Sequence, residues 1–164
     1  MMPIKQVVIN ASPLIALFRS QQDDLLPQLF DKIYVPDAVW NEVVLSGKQD
    51  IAAQKLPTRD GYTKLPPVTA DTDIQLWNLG AGESEVMHHT RQMGLDRAIV
   101  DDQAARRCCR SLEIRTLGTC GVLVVAKRRG IISELQPAIQ KLRDAGLWLS
   151  DSLVHSLLLQ AGEI

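Results

Sequence analysis

The chain has 164 residues, enough for one sizeable core and too few for a second domain of ordinary size. An apolar content of 46% excludes a disordered chain, and a net charge of −1 gives the molecule as a whole no basic signature for nucleic acid. Apolar runs such as 121–126 are far too short to cross a bilayer and Met1–Gln6 lacks the apolar stretch of a signal peptide, so a cytoplasmic protein away from membranes is expected.

In chain order, Gln6 to Ile9 is a β-branched strand, and Ser12-Pro13 is expected to open a helix as N-cap and first helical residue. Leu14, Ile15, Leu17 and Phe18 form the apolar stripe of that helix. A second helix is expected over Asp23 to Phe30 and a strand over Lys32 to Val35. Pro36-Asp37 then opens a helix carrying Val39, Trp40, Val43 and Val44. Ser46 to Asp73, broken by Pro57, Gly61, Pro66 and Pro67, reads as a variable insertion with a short helix and a strand at Tyr62 to Leu65. After Gly80-Ala81-Gly82 a helix runs from Glu83 to Met93, then Gly94. Strand Arg97 to Val100, helix Gln103 to Ser111 and strand Glu113 to Leu117 follow. The turn Gly118-Thr119-Cys120-Gly121 leads into a helix ending at Arg129. Ser133 to Asp144 is a further helix stopped at Gly146, and Asp151 is expected to cap a last one, Leu153 to Gln160. This alternation predicts one α/β domain over residues 1–164 around a parallel sheet.

Charge is unevenly spread. From Asp71 to Asp102 seven acids (Asp71, Asp73, Glu83, Glu85, Asp96, Asp101, Asp102) stand against Arg91 and Arg97. From Ala104 to Gly130 seven bases (Arg106, Arg107, Arg110, Arg115, Lys127, Arg128, Arg129) stand against Glu113. Such a pair of segments can hold a cation beside a phosphate backbone, and can equally be two solvated helix faces.

Sites in open parallel sheets form beyond the carboxyl ends of the strands. Asn10 and Asp101 each follow an apolar strand directly, and Glu42 and Glu83 lie on helices that can lean over the same edge. Mg²⁺ and Mn²⁺ prefer oxygen ligands and keep several waters, so a few carboxylates suffice to hold them. Two such ions about 3.5–4 Å apart can activate water and stabilise the leaving oxygen in phosphodiester hydrolysis. Each residue has a plainer role as well. Asn10 can bond the strand-to-helix turn, Glu42 can face solvent, Glu83 can complement a helix dipole, and Asp101 or Asp102 can cap the helix at Gln103.

Taken together, Val8-Ile9-Asn10-Ala11-Ser12-Pro13-Leu14-Ile15, Val35-Pro36 with Glu42, Leu79 to Glu85, Ile99-Val100-Asp101-Asp102 and Gly118 to Leu123 with Ala126-Lys127 resemble PIN-domain proteins. The match is closest to a prokaryotic subgroup of predicted nucleic-acid-binding proteins, and Ser46 to Asp73 matches least. The resemblance implies a three-layer α/β/α fold with a central parallel sheet and a ribonuclease site dependent on Mg²⁺ or Mn²⁺. By position, Asn10, Glu42, Glu83 and Asp101 occupy the four acidic places, with Asp102 and Glu85 in reserve. Glu42, Glu83 and Asp101 would be catalytic, while Asn10 and Asp102 complete the metal set. Ser12, Arg106, Arg107 and Thr119 would touch RNA. A toxin role with an antitoxin partner, and a homodimer, are further implications. The first place is normally Asp in the family; Asn10 keeps the shape and loses the charge, which implies weaker metal binding and leaves a binding module without catalysis as the rival reading.

Other features read more plainly. Gly118 to Gly121 can present backbone N–H groups to a phosphate, but it lacks the Gly-Lys-Ser/Thr ending of a Walker A loop and reads more simply as a tight strand-to-helix turn. Cys108, Cys109 and Cys120 have no zinc-ligand spacing and are expected as reduced thiols. His88 and His89 are adjacent on a helix and point to different faces. Trp40, Trp77 and Trp148 are expected in the core or an interface, and Arg110 joins Arg106 and Arg107 as a candidate for phosphate contacts.

Overall fold

The computed structural model describes residues 3–46 and 50–164; residues 47–49 of the expected insertion lie outside the described residues. Five parallel strands form one sheet: β1 (Gln6–Ile9), β2 (Lys32–Val35), β3 (Tyr62–Lys64), β4 (Arg97–Ile99) and β5 (Thr116–Leu117), in the order β3-β2-β1-β4-β5. Val7, Val8 and Ile9 are fully buried, as a strand covered on both faces must be, and β1 accordingly takes the centre. Val8 stands beside Tyr34 on one side and Ala98 on the other. The chain leaves β1 toward β2 and β3, then returns across β1 to start β4. The order therefore reverses between β1 and β4, and a crevice opens at their carboxyl ends.

Helices cover both faces in a three-layer α/β/α arrangement. α1 (Ala11–Arg19), α2 (Leu25–Leu29), α8 (Thr119–Arg128) and α9 (Leu135–Asp144) pack on one another. α3 (Asp37–Trp40), α5 (Thr72–Gln75) and α6 (Ala81–Gln92) form a second group, with α6 against β1 and β4. Short α4 (Ile51–Lys55) bridges α1 and the turn after α3, α7 (Gln103–Ser111) lies by β5, and α10 (Asp151–Gln160) follows α9. Leu14, Leu17 and Phe18 from α1, Val86 and Met87 from α6 and Leu123 from α8 are buried in a core continuous with the strands. Among the described residues no helix is long and apolar enough to cross a membrane.

Local chemistry moves several expected boundaries. Asn10, not Ser12, is the N-cap residue of α1, and Pro13 sits two positions inside, where its missing N–H still falls in the unpaired first turn. Ser150, not Asp151, caps α10, its hydroxyl accepting the Leu153 N–H at 3.1 Å. The strand expected from Glu113 starts only at Thr116, because Glu113 turns the chain with φ +59° and the Ile114 N–H bonds back to Cys109. After α3 the chain widens into a π-turn over Asn41–Leu45, which carries Glu42. Single π-turns of this kind re-aim a side chain, which is why they recur at functional sites.

Trp148, expected in the core or an interface, is 83% exposed and so lies outside the core. Gly146, at φ +103°, follows α9 in a conformation that a side chain would strain, and the chain then runs without regular structure to Ser150. Leu147 and Leu149 turn inward in that stretch, so alternation sends the indole between them outward.

Candidate active site

Asn10 ends β1, and its backbone is fixed from both sides. Its N–H bonds Ile99 O at 3.0 Å across to β4, and its carbonyl accepts the Leu14 N–H at 3.3 Å. The side chain is buried, 7% exposed, and lies against the start of α6. A Cβ on Gly82 would stand 3.3 Å from Asn10 Oδ1, so the absence of a side chain at 82 is what lets α6 begin so close to the β1 end.

Glu83 follows on α6 and is half-buried. Burial raises its carboxyl above the usual carboxylate range, and the nearby negative charges of Asp102 and Glu42 raise it further. Three acids from separate elements thus share one field, and among the described residues neither these three nor Asp101 forms an ion pair. A carboxyl raised in the folded state favours folding while protonated, and this advantage is lost as pH rises through the folded value. Glu83→Gln is therefore expected to melt higher than wild type at pH 7. Partial exposure screens the effect, so the gain is small, about 2 °C, and it vanishes in acid below the ordinary glutamate value of about 4.3. Thermal melts across pH check this; equal melting at pH 7 would show that the three charges do not oppose one another.

Asp101 and Asp102, adjacent in sequence, do different things. Asp102 is the N-cap of α7 and accepts the Ala105 N–H at 2.9 Å. Asp101 reaches the next crossover: its Oδ1 accepts the Thr119 N–H at 2.8 Å and its Oδ2 the Thr119 hydroxyl at 2.5 Å. Thr119, 1% exposed, opens α8, so the β4 end is locked to that helix start. Gly118 makes the approach possible, since a Cβ there would lie 2.9 Å from an Arg106 guanidinium nitrogen and 3.1 Å from Asp101 Oδ1. Its φ of −86° suits any residue, so Gly118→Ala is expected to fold normally yet displace Arg106 and Asp101. We expect a drop of about tenfold or more in any activity of this site, the scale that a misplaced group costs. Circular dichroism beside an activity assay tests it, and full activity in the variant would release Gly118 from the site.

The other charges of the acidic run are committed elsewhere. Asp71 and Asp73 both pair with Arg91, Asp96 accepts the Lys5 and Gln6 N–H groups, and Glu85 accepts the Ala38 N–H at 3.1 Å at the start of α3. Only Glu83, Asp101 and Asp102 from that run remain at the crevice. In the basic segment Lys127 bonds Glu163 and the Ala161 carbonyl, and Arg129 bonds the Leu29 and Ile4 carbonyls. Arg106 and Arg110, one turn apart on α7, face a cavity of about 630 Å³ that also takes in Asp101, Thr119 and Trp148. Arg107, on another face of α7, is exposed and does not line it. Ser12 and Glu42 line a second hollow of about 380 Å³ with Arg19 and Asp50, which are ion-paired. Leu147 is the wall common to both.

The donors at the crevice are oxygens, which suits a hard divalent ion. The nearby Cys120 is no soft alternative, because burial and then Asp101 push its thiol up to about 11 and keep it protonated. Among the described residues no three of His, Cys, Asp and Glu converge closely enough to chelate an ion directly. The arrangement fits an ion such as Mg²⁺, which keeps several waters and takes only one or two carboxylates directly. Sequence reasoning named these acids and placed Gly82 and Gly118 at helix starts, but not the close approach that each permits, to Asn10 and to Asp101 with Arg106.

A comparison with curated proteins finds no match. A family model described as a PIN domain matches residues 6–163, nearly the whole chain, and it spans every element of the crevice. The chain belongs to the PIN-domain family, whose members are generally metal-dependent nucleases.

Proposed function

We propose that this chain is a metal-dependent ribonuclease that hydrolyses RNA phosphodiesters at the crevice between β1 and β4. The observation that carries this reading is the shared field of Glu42, Glu83 and Asp102, with Asp101 alongside and no cationic side chain paired to any of the four among the described residues. Like charges gathered this way cost free energy unless a cation joins them. In this reading Glu42, Glu83 and Asp101 hold the ion between them, one or two directly and the rest through its bound waters, with Asp102 and the neutral Asn10 completing the set. Mg²⁺ or Mn²⁺, when bound, supplies an activated water and positive charge for the leaving oxygen. Thr119 holds the Asp101 carboxylate in one orientation, and Arg106, with Arg107 and Ser12, offers contacts to the RNA backbone.

Cleavage of a mixed single-stranded RNA pool tests this. Wild type with Mn²⁺ or Mg²⁺ is expected to cut, with EDTA abolishing the activity and Glu42→Ala lowering it at least a hundredfold. Cutting that survives EDTA would sink the metal assignment. Asn10 favours a second reading, a nucleic-acid-binding module that keeps the fold without catalysis, because one place of the set carries no charge. RNA binding that persists in EDTA, with no cleavage under any divalent ion, would select it. A toxin role rests on the family alone. It predicts that induced expression halts growth, that Glu42→Ala relieves the arrest, and that a protein partner neutralises the wild type.

A further inference from the structure

Beside the acids, the 630 Å³ cavity joins residues of the hydrolytic reading to two features that it does not use, Arg110 and the Leu147-Trp148-Leu149 stretch. Asp101 and Thr119 stand at one end of it, Arg106 and Arg110 form one wall, and the Leu147-Trp148-Leu149 stretch forms another. Trp148 is not a loose side chain on a loose loop. The Leu147 N–H bonds Leu142 O at 3.0 Å, and Arg143 donates both to Leu149 O at 2.8 Å and to Asp151 at 3.0 Å. The backbone on each side of the indole is therefore anchored to α9 or α10 while the indole itself is 83% exposed. A single exposed apolar side chain is ordinary on a protein surface; the feature here is an indole on an anchored backbone in the same cavity as two guanidiniums.

We propose that Trp148 is a base-stacking platform, with Arg106 and Arg110 as its phosphate contacts, for the nucleotide of a single-stranded RNA next to the bond cut at Asp101. Charge selects this occupant. A wall carrying two guanidiniums, facing a bare aromatic ring and adjoining an acidic centre, matches a polyanion whose units each offer a flat apolar face. A base paired inside a duplex cannot present that face, so the platform makes the site choose unpaired RNA. The inference rests on the ribonuclease reading and adds to it the residues that would hold the base and its phosphates.

The test is binding of a fluorescein-labelled single-stranded RNA decamer, and of the same sequence as a duplex, by the intact chain in EDTA over a range of salt. Trp148→Ala is expected to weaken single-strand binding about tenfold, within the range that a base–aromatic stack contributes, and to leave weak duplex binding unchanged. Trp148→Phe should keep most of the affinity. Arg106→Ala and Arg110→Ala should each flatten the salt dependence by about one counterion. Because Trp148 is exposed, Trp148→Ala should fold like wild type, and an unchanged thermal melt checks this. Wild-type binding that is unchanged in Trp148→Ala overturns the proposal and leaves the ribonuclease reading standing. Loss of self-association in Trp148→Ala without loss of RNA affinity also overturns it, in favour of an interface between copies. If wild type binds neither RNA form at low salt, the ribonuclease reading fails first and the platform with it.

Discussion

Asn10→Asp is expected to tighten Mn²⁺ binding ten- to hundredfold and to raise RNA cleavage by a similar factor. The backbone at this position is held by the bond to Ile99 and the turn into α1, so the carboxylate would take the place of the carboxamide with little rearrangement. A unit charge about 4 Å from another contributes about 4 kcal/mol at the effective dielectric of a protein surface. Desolvating a carboxylate at a buried position offsets much of this. A net gain of about 1.4–2.8 kcal/mol corresponds to the stated range. The same change has a cost without metal, because a fourth acid joins Glu42, Glu83 and Asp102 in one field. The metal-free variant should melt lower than wild type by about 2–8 °C, and saturating Mn²⁺ should recover the loss. Calorimetric titration and thermal melts read both effects; equal Mn²⁺ affinity in the two proteins would remove position 10 from the metal set.

Asp101 gives the second large effect, and two substitutions separate its charge from its hydrogen bonds. Asp101→Asn can still accept the Thr119 N–H through its carbonyl oxygen and donate from its amide to the Thr119 hydroxyl, so the fold should hold within about 1 kcal/mol. If Asp101 is a ligand as proposed, cleavage should nevertheless fall at least a hundredfold, since the site would lose a negative charge. Asp101→Ala strips both partners from Thr119, a residue 1% exposed, and leaves buried donors unpaired. That costs about 1–3 kcal/mol, or about 2–12 °C in melting temperature, beyond the loss of activity. Should Asp101→Asn cleave like wild type, Asp101 would be a clasp for α8 and nothing more.

Much of the fold is legible in local sequence. β-branched runs at Val7–Ile9 and Ile33–Val35, glycines before α6 and α8, and apolar spacing along α1 and α9 each carry their structure within a few residues. Boundaries shifted where a hydrogen bond between neighbours outweighed a residue preference. Ser150 and Asp151 are both good caps, and the geometry of the turn decided between them. The same holds at the site. Sequence placed Asp101-Asp102 at a strand end but left open which of them caps α7, because adjacent residues share every short-range signal. The partner that separates them, Thr119, is 18 residues away and arrives only through the β4–β5 pairing. Glu85 looked like a spare ligand until the packing of α3 on α6 brought it to the Ala38 N–H.

By itself, then, the sequence determined most of the strands and helices, their alternation in one α/β domain, and that Asn10 and Asp101 directly follow apolar strands. Hydrophobic pattern and turn chemistry act over one or two turns of chain, and these features need nothing longer. Only the tertiary structure decided which acids face one another, which arginines line the cavity, and that Trp148 stands in the open. Those outcomes depend on how helices far apart in sequence lean over one sheet edge, and no local pattern encodes that distance.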